Sequence, residues 1–243
     1  MNTPTIVLIH GWGFDSRVWQ TLQTKLSKVH VITIDLPGYG NQINNKTEWN
    51  IHNITEDLIA RTPEKAIWIG WSLGGLLALY SALHKPTHIK ALITIATTPC
   101  FTQKTGWDCA MPNDSFNTFK QSCENDTKQG LNEFKRLVAY GADKPSIKEI
   151  RSQECTASTT TLLSGLEILE HTDLRFELKN IHCPVHSILA ENDALIPKAA
   201  REPINFLSAE NETTFISNAP HGLPISHAPV IAQQLETMIH VQQ

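Results

Sequence analysis

The stretch "WIGWSLGG", residues 68–75, sets a lone serine between glycines where a strand-like run meets a helix-like one. Ala66-Ile67-Trp68-Ile69 reads as a buried strand that stops at Gly70, and a helix-forming run follows from Leu76. Gly70-Trp71-Ser72-Leu73-Gly74 fits G-x-S-x-G, the pattern of a nucleophile held on a sharp strand-to-helix turn. Side chains two places before and two places after the serine would collide in such a turn, so glycine is needed at both. The strained backbone holds Oγ out over the sheet. The N–H of Leu73, at the start of the helix, points into the same space and can donate to an oxyanion. A bare G-x-S-x-G also occurs in ordinary turns, so its weight depends on the chain around it.

That surrounding chain alternates. "TIVLIH" (5–10), "VHVITIDLPG" (29–38), "KAIWIG" (65–70), "IKALITIAT" (89–97), "PVHSILA" (184–190) and "TTFISN" (213–218) are short apolar runs. Runs of this kind suit strands buried on both faces of a parallel sheet. Helical segments fall between them, at about 17–27, 51–61, 73–84, 198–207 and 226–241. The class predicted is α/β, a mostly parallel sheet with helices on both faces. Ligands in such sheets bind beyond the carboxyl ends of the strands. From Pro99 to about Thr172 the alternation breaks. Helices are predicted at 114–128, 130–140, 146–155 and 160–170, with Leu131, Phe134, Leu137 and Val138 on one stripe and Gly141 ending the second. The expected organisation is a core of 1–98 and 173–243 with an all-helical lid, 99–172, inserted in it.

A serine needs a base and an orienting acid. In this kind of fold they follow the nucleophile in the order acid, then histidine. Asp193 lies just past one strand, in "ILAENDALIPK", and His221 lies past the last, in "SNAPHGLPISHAPV". Glu191 is a competing acid, and His227 a competing base that falls near the start of the last helix. The second oxyanion donor is expected in the loop His10-Gly11-Trp12-Gly13, from the Trp12 N–H, with the indole able to wall an acyl site. Trp71 fits either packing or lining.

Composition narrows the classes. The chain has 243 residues, 41% hydrophobic and 18% charged, with a net charge of −4. That suits one large core and argues against bulk nucleic-acid binding. Five cysteines without a C-x-x-C pair read as reduced thiols, not as a disulfide frame or zinc site. No run has membrane-span length, and the start lacks a signal-like basic and apolar region. A soluble cytoplasmic protein is expected. His182-Cys183-Pro184-Val185-His186 lacks the context of a metal site, Gly38-Tyr39-Gly40 lacks that of a dinucleotide site, and Asp15–Arg17 reads as a solvated helix start.

The sequence resembles the α/β-hydrolase superfamily over its whole length, and within it the BioH esterases of biotin synthesis. "LIHGWGFDSRVW" (8–19), "IDLPGYG" (34–40), "KAIWIGWSLGGL" (65–76), "TIATTPCF" (94–101), "GLEILEHTDLR" (165–175) and "ENDALIPK" (191–198) carry the resemblance. It implies hydrolysis of the methyl ester of pimeloyl-acyl carrier protein, with Ser72 as nucleophile, Asp193 as acid and His221 as base. It also implies substrate contacts at Trp12, Leu73 and the lid helix Phe134, Lys135, Arg136, Leu137 and Val138, the last standing where the family has a polar residue. No metal or organic cofactor is needed, and a monomer is expected.

Charge offers a separate indication of partner. Between Lys128 and Arg151, six basic residues (Lys128, Lys135, Arg136, Lys144, Lys148, Arg151) face three acidic ones (Glu133, Asp143, Glu149). A solvated face is one explanation. Steering of an acidic carrier protein is the sharper one. A short-chain carboxylesterase without a carrier partner and a non-catalytic ligand-binding protein of the same fold are the alternatives. A dehalogenase would carry a carboxylate at the elbow.

Overall fold

The structure, a computed structural model, describes residues 3–200 and 212–241. Six strands form one parallel sheet: β1 (Thr5–Ile9), β2 (His30–Ile34), β3 (Ala66–Trp71), β4 (Ile89–Ile95), β5 (Val185–Ala190) and β6 (Glu212–Ile216). They lie in the order β2-β1-β3-β4-β5-β6. Every residue of β3 is buried, as a central strand of a sheet covered on both faces must be. β1 pairs with β2 on one side and β3 on the other, so the chain reverses its direction of travel across the sheet between β1 and β3. This is the switch point beyond which open α/β sheets hold their ligands. Ile9 pairs with Gly70, so the loop after β1 and the turn after β3 leave the sheet side by side.

The helices are α1 (Gln20–Gln23), α2 (Ile51–Ala60), α3 (Leu73–His84), α4 (Asn113–Asn125), α5 (Thr127–Val138), α6 (Lys144–Ser152), α7 (Thr159–His171), α8 (Leu223–Ser226) and α9 (Ala228–Val241). The predicted helix 17–27 is instead a 3-10 turn, Ser16–Trp19, running into the short α1. Asp15 starts that turn by accepting from the Arg17 N–H, and it is buried, not solvated. Its carboxylate also holds the Arg17 guanidinium, which reaches the Glu154 carbonyl at 2.7 Å. Of the predicted 198–207 helix, Lys198–Ala200 forms one 3-10 turn, and the remainder lies outside the described residues.

Between β4 and β5 stand α4 to α7, with isolated bridges and one 3-10 turn, Leu178–Asn180, outside them. Asp126, Asp143 and Ser158 each accept a backbone N–H in the first turn of α5, α6 and α7, which explains where these helices begin. α4 packs on α5 and α7, and α5 on α6. Cys100 bridges Asp173, and the Leu174 N–H donates to the Pro99 carbonyl, so the segment leaves and rejoins the sheet at one point. α5 stops at Val138, and Gly141 follows three residues later with φ +82°. Among the described residues no helix is long and apolar enough to cross a membrane.

The turn after β3 depends on absent side chains. A Cβ at Gly70 would stand 2.5 Å from the Gly74 carbonyl oxygen. One at Gly74 would stand 2.4 Å from the carbonyl oxygens of both Ile9 and His10. Gly74→Ala therefore meets fixed backbone and should cost about 3 kcal/mol, roughly 6–12 °C in Tm for a chain of this size. A thermal melt checks this, and an unchanged Tm would contradict the packing.

Candidate active site

Ser72 is the N-cap of α3 with φ 54° and ψ −119°, a backbone region that non-glycine residues avoid and that functional sites tolerate. Its N–H donates to the Ile95 carbonyl at 2.9 Å. Its carbonyl accepts from Gly75 N–H, Leu76 N–H and the Thr97 hydroxyl. The backbone is thus anchored to the end of β4, while Oγ has no hydrogen bond among the described residues. Leu73 opens α3, so its N–H is one of those with no acceptor inside the helix.

The loop after β1 is set by His10. This imidazole is fully buried and accepts the Leu36 N–H at Nε2, 3.0 Å. Its proton therefore sits on Nδ1, which donates to the Gly11 carbonyl at 2.9 Å. Burial pushes its pKa below the usual histidine value, consistent with a neutral ring. His10 was visible in sequence only as part of the loop motif; a histidine between a buried strand and a glycine was the available signal. Trp12 follows, with no acceptor for its backbone N–H among the described residues. Its indole Nε1 donates to the Leu162 carbonyl of α7 at 2.7 Å, and its ring meets Phe134 and Phe119 edge-on.

Asp193 and His221 meet from the loops after β5 and β6. His221 Nδ1 lies 2.8 Å from Asp193 Oδ2. Asp193 Oδ1 accepts the N–H groups of Leu195 and Ile196, which fixes the carboxylate in its own loop. A carboxylate can only accept, so Nδ1 carries the imidazole proton and Nε2 presents its lone pair. Nε2 is buried and has no partner among the described residues. Glu191 instead accepts the Asn218 N–H at 2.9 Å, bracing the loop that leads to His221. His227 bonds the Ser226 hydroxyl at the α8–α9 junction. Trp71 donates its indole N–H to the His221 carbonyl at 2.9 Å, an arrangement sequence could not foresee.

The stretch from Phe134 to Val138 divides by face. Phe134 and Val138 are buried, and Phe134 sits against Trp12 and Phe14. Arg136 is exposed and Leu137 is 37% exposed, so Leu137 leaves the apolar stripe. Lys135 is buried, with its ammonium on the Gln153 carbonyl, and burial lowers its pKa. It is not on the basic outer face. Among the described residues Glu167, Glu170 and His171 are the one cluster with metal-ligand geometry, but Lys120 already spans both carboxylates. His186 is engaged by Thr214 and Glu212.

Residues 6–234 match the α/β-hydrolase family. The chain belongs to that family. Proteins named pimeloyl-[acyl-carrier protein] methyl ester esterase are similar to it. One from Pseudoalteromonas atlantica is 35% identical over 99% of this chain and 93% of its own. One from Edwardsiella ictaluri is 33% identical over 91% and 88%. Among solved structures, a hydrolase from Oleispira antarctica superposes with TM-score 0.90 over 99% of this hydrolase and 92% of its own chain, at 18% identity. Family and relatives together establish a carboxylic ester hydrolase.

Four histidines of this hydrolase outside the Asp193–His221 pair, His10, His88, His186 and His227, have pKa values lowered mainly by burial. The unfolded chain then binds more protons as pH falls through the ordinary histidine range, so stability contributed above about pH 6.5 is lost below it. Urea midpoints should drop steadily from about pH 7.5 to about pH 5. A midpoint that is flat or rises on acidification would contradict the burial of these rings.

Proposed function

We propose that this hydrolase is a serine esterase that cleaves the methyl ester of a pimeloyl chain carried on acyl carrier protein, a step of biotin synthesis. The observation that carries the mechanism is the Asp193–His221 pair, with His221 Nε2 buried and unpartnered on the sheet edge where the strained Ser72 stands. The substrate follows from the relatives' names at 31–35% identity over nearly the whole chain. His221 takes the Ser72 proton as Oγ attacks the ester carbonyl. Asp193 holds the imidazole tautomer and stabilises the imidazolium. The N–H groups of Trp12 and Leu73 receive the oxyanion, each worth about 3 kcal/mol in the transition state. Methanol leaves with the proton from His221. Water, activated by the same histidine, then releases the acid.

Residues 99–172 act in this reading as a lid. Phe119 and Phe134 of this segment pack on Trp12 and Phe14 of the loop after β1, an apolar cluster suited to a methylene chain. On the outer side Lys128, Arg136, Lys144, Lys148 and Arg151 are all exposed, a cationic face for an acidic carrier protein. The buried Lys135 is excluded from it.

Ser72→Ala should leave only trace hydrolysis of p-nitrophenyl acetate with the fold intact by circular dichroism, and Asp193→Asn should lower kcat by about 10⁴-fold. Full turnover in Ser72→Ala would remove the nucleophile from the mechanism. For the partner, Arg136→Glu with Lys148→Glu should lower kcat/KM on the carrier-linked methyl ester about tenfold or more. Small-ester turnover should hold, and equal loss on both substrates would argue for an esterase with no carrier partner.

A further inference from the structure

The G-x-S-x-G pattern leaves the residue before the serine open, and in this chain it is Trp71, the last residue of β3. Its indole N–H donates 2.9 Å to the backbone carbonyl of His221, 150 residues along the chain. The indole and imidazole rings lie 5.7 Å apart at 44°. On its other sides the indole meets Phe14 at 5.0 Å, and a Cβ at Gly11 would stand 3.0 Å from its Cε3. Trp71 is 1% exposed and His221 is fully buried, so water cannot replace this bond. The loop carrying His221 is tied on both sides of it, and before it Asn218 N–H donates to Glu191. Asn192 N–H donates to the Ala219 carbonyl, and Gly222 N–H donates to the Val138 carbonyl of α5. Among the described residues the Trp71 bond is the one that ends on the backbone of His221, and it starts from the neighbour of Ser72.

We propose that Trp71 is a positioning residue that fixes the base relative to the nucleophile, independently of Asp193; this rests on the Ser72–His221–Asp193 reading above. Asp193 sets the tautomer and turn of the ring. The indole sets where the backbone bearing that ring lies relative to β3, and therefore to Ser72 Oγ. Its loss leaves a buried carbonyl unpaired and lets the loop shift. Misplacement of a reacting group by about 1 Å costs on the order of 10²-fold in rate. The effect should fall on kcat and spare KM, because Trp71 holds the base and not the ester.

The test compares Trp71→Phe with Trp68→Phe, a change in the same strand at an equally buried indole whose N–H has no partner among the described residues. With p-nitrophenyl acetate, Trp71→Phe should lose about tenfold or more in kcat, with KM within about twofold. Trp68→Phe, even if it melts earlier, should keep kcat within about twofold. Equal kcat in the two variants would overturn the proposal, as would a loss in Trp71→Phe confined to KM. If Trp71→Phe does not fold, site-specific incorporation of the benzothienyl analogue of tryptophan at position 71 keeps the ring shape and removes only the donor. It should reproduce the fall in kcat, and a full-rate enzyme would overturn the proposal. Ser72→Ala run alongside separates the two claims. Full turnover there defeats the triad reading, whereas a dead Ser72→Ala beside a full-rate Trp71 variant defeats only the positioning role.

Discussion

The backbone of α3 runs against the ends of β1 and β3 with no side chain between them, and the rest of the site depends on that contact. At Gly70 and Gly74 a Cβ would stand 2.5 and 2.4 Å from backbone oxygen. Their closeness forces Ser72 to φ 54°, and that conformation places a helix N-terminus directly beside the serine. In the proposed mechanism this one constraint supplies both the placement of Oγ and an N–H for developing negative charge. It also bears on where the proposed second donor stands. Ile9 pairs with Gly70, so the chain leaving β1 passes the elbow at once, and Trp12 arrives there with its N–H unspent.

The proposed base, His221, comes from far along the chain and cannot be placed by local geometry. Its loop is tied to three different parts of the molecule: the acid loop through Asn192, the helical segment through Val138, and the elbow through Trp71. The tie to α5 is close, since a Cβ on Gly222 would stand 3.1 Å from the Val138 carbonyl oxygen. Gly141, just beyond α5, likewise presses on Asn192, the neighbour of Asp193. The segment over the sheet therefore touches the supports of both members of the pair. Trp12 makes the same connection from the oxyanion side, through Leu162 and Phe134. These helices are therefore in direct contact with the supports of the proposed catalytic groups.

The six strands were legible because a sheet covered on both faces demands unbroken apolar runs, and "TIVLIH" or "KAIWIG" can serve few other purposes. The elbow was legible because its sterics dictate glycine at fixed spacing. The pairing of Asp193 with His221 follows from their places after strands, and Glu191, the competing acid, accepts from Asn218. The first helix was less so. "DSRVWQTLQ" has helical periodicity, yet Asp15 captures the Arg17 N–H and guanidinium and tightens the start into a 3-10 turn. A side-chain bond two residues away competed with the helix, and hydrophobic pattern does not register that.

The least legible features were the ones fixed by contacts between distant segments. Charge counting treats every lysine as a surface group, and in most helices that is right. Lys135 departs from it because the chain following α6 passes over α5 and offers the Gln153 carbonyl to its ammonium. The same burial that lowers its pKa removes it from the outer face. Trp71 shows the converse. Its sequence position, beside the serine, fits either packing or lining; the indole N–H is committed to the His221 carbonyl and the ring is closed in by Phe14. A buried tryptophan needs one acceptor for one donor. Here the acceptor belongs to the proposed base, so in that mechanism packing and positioning are a single interaction.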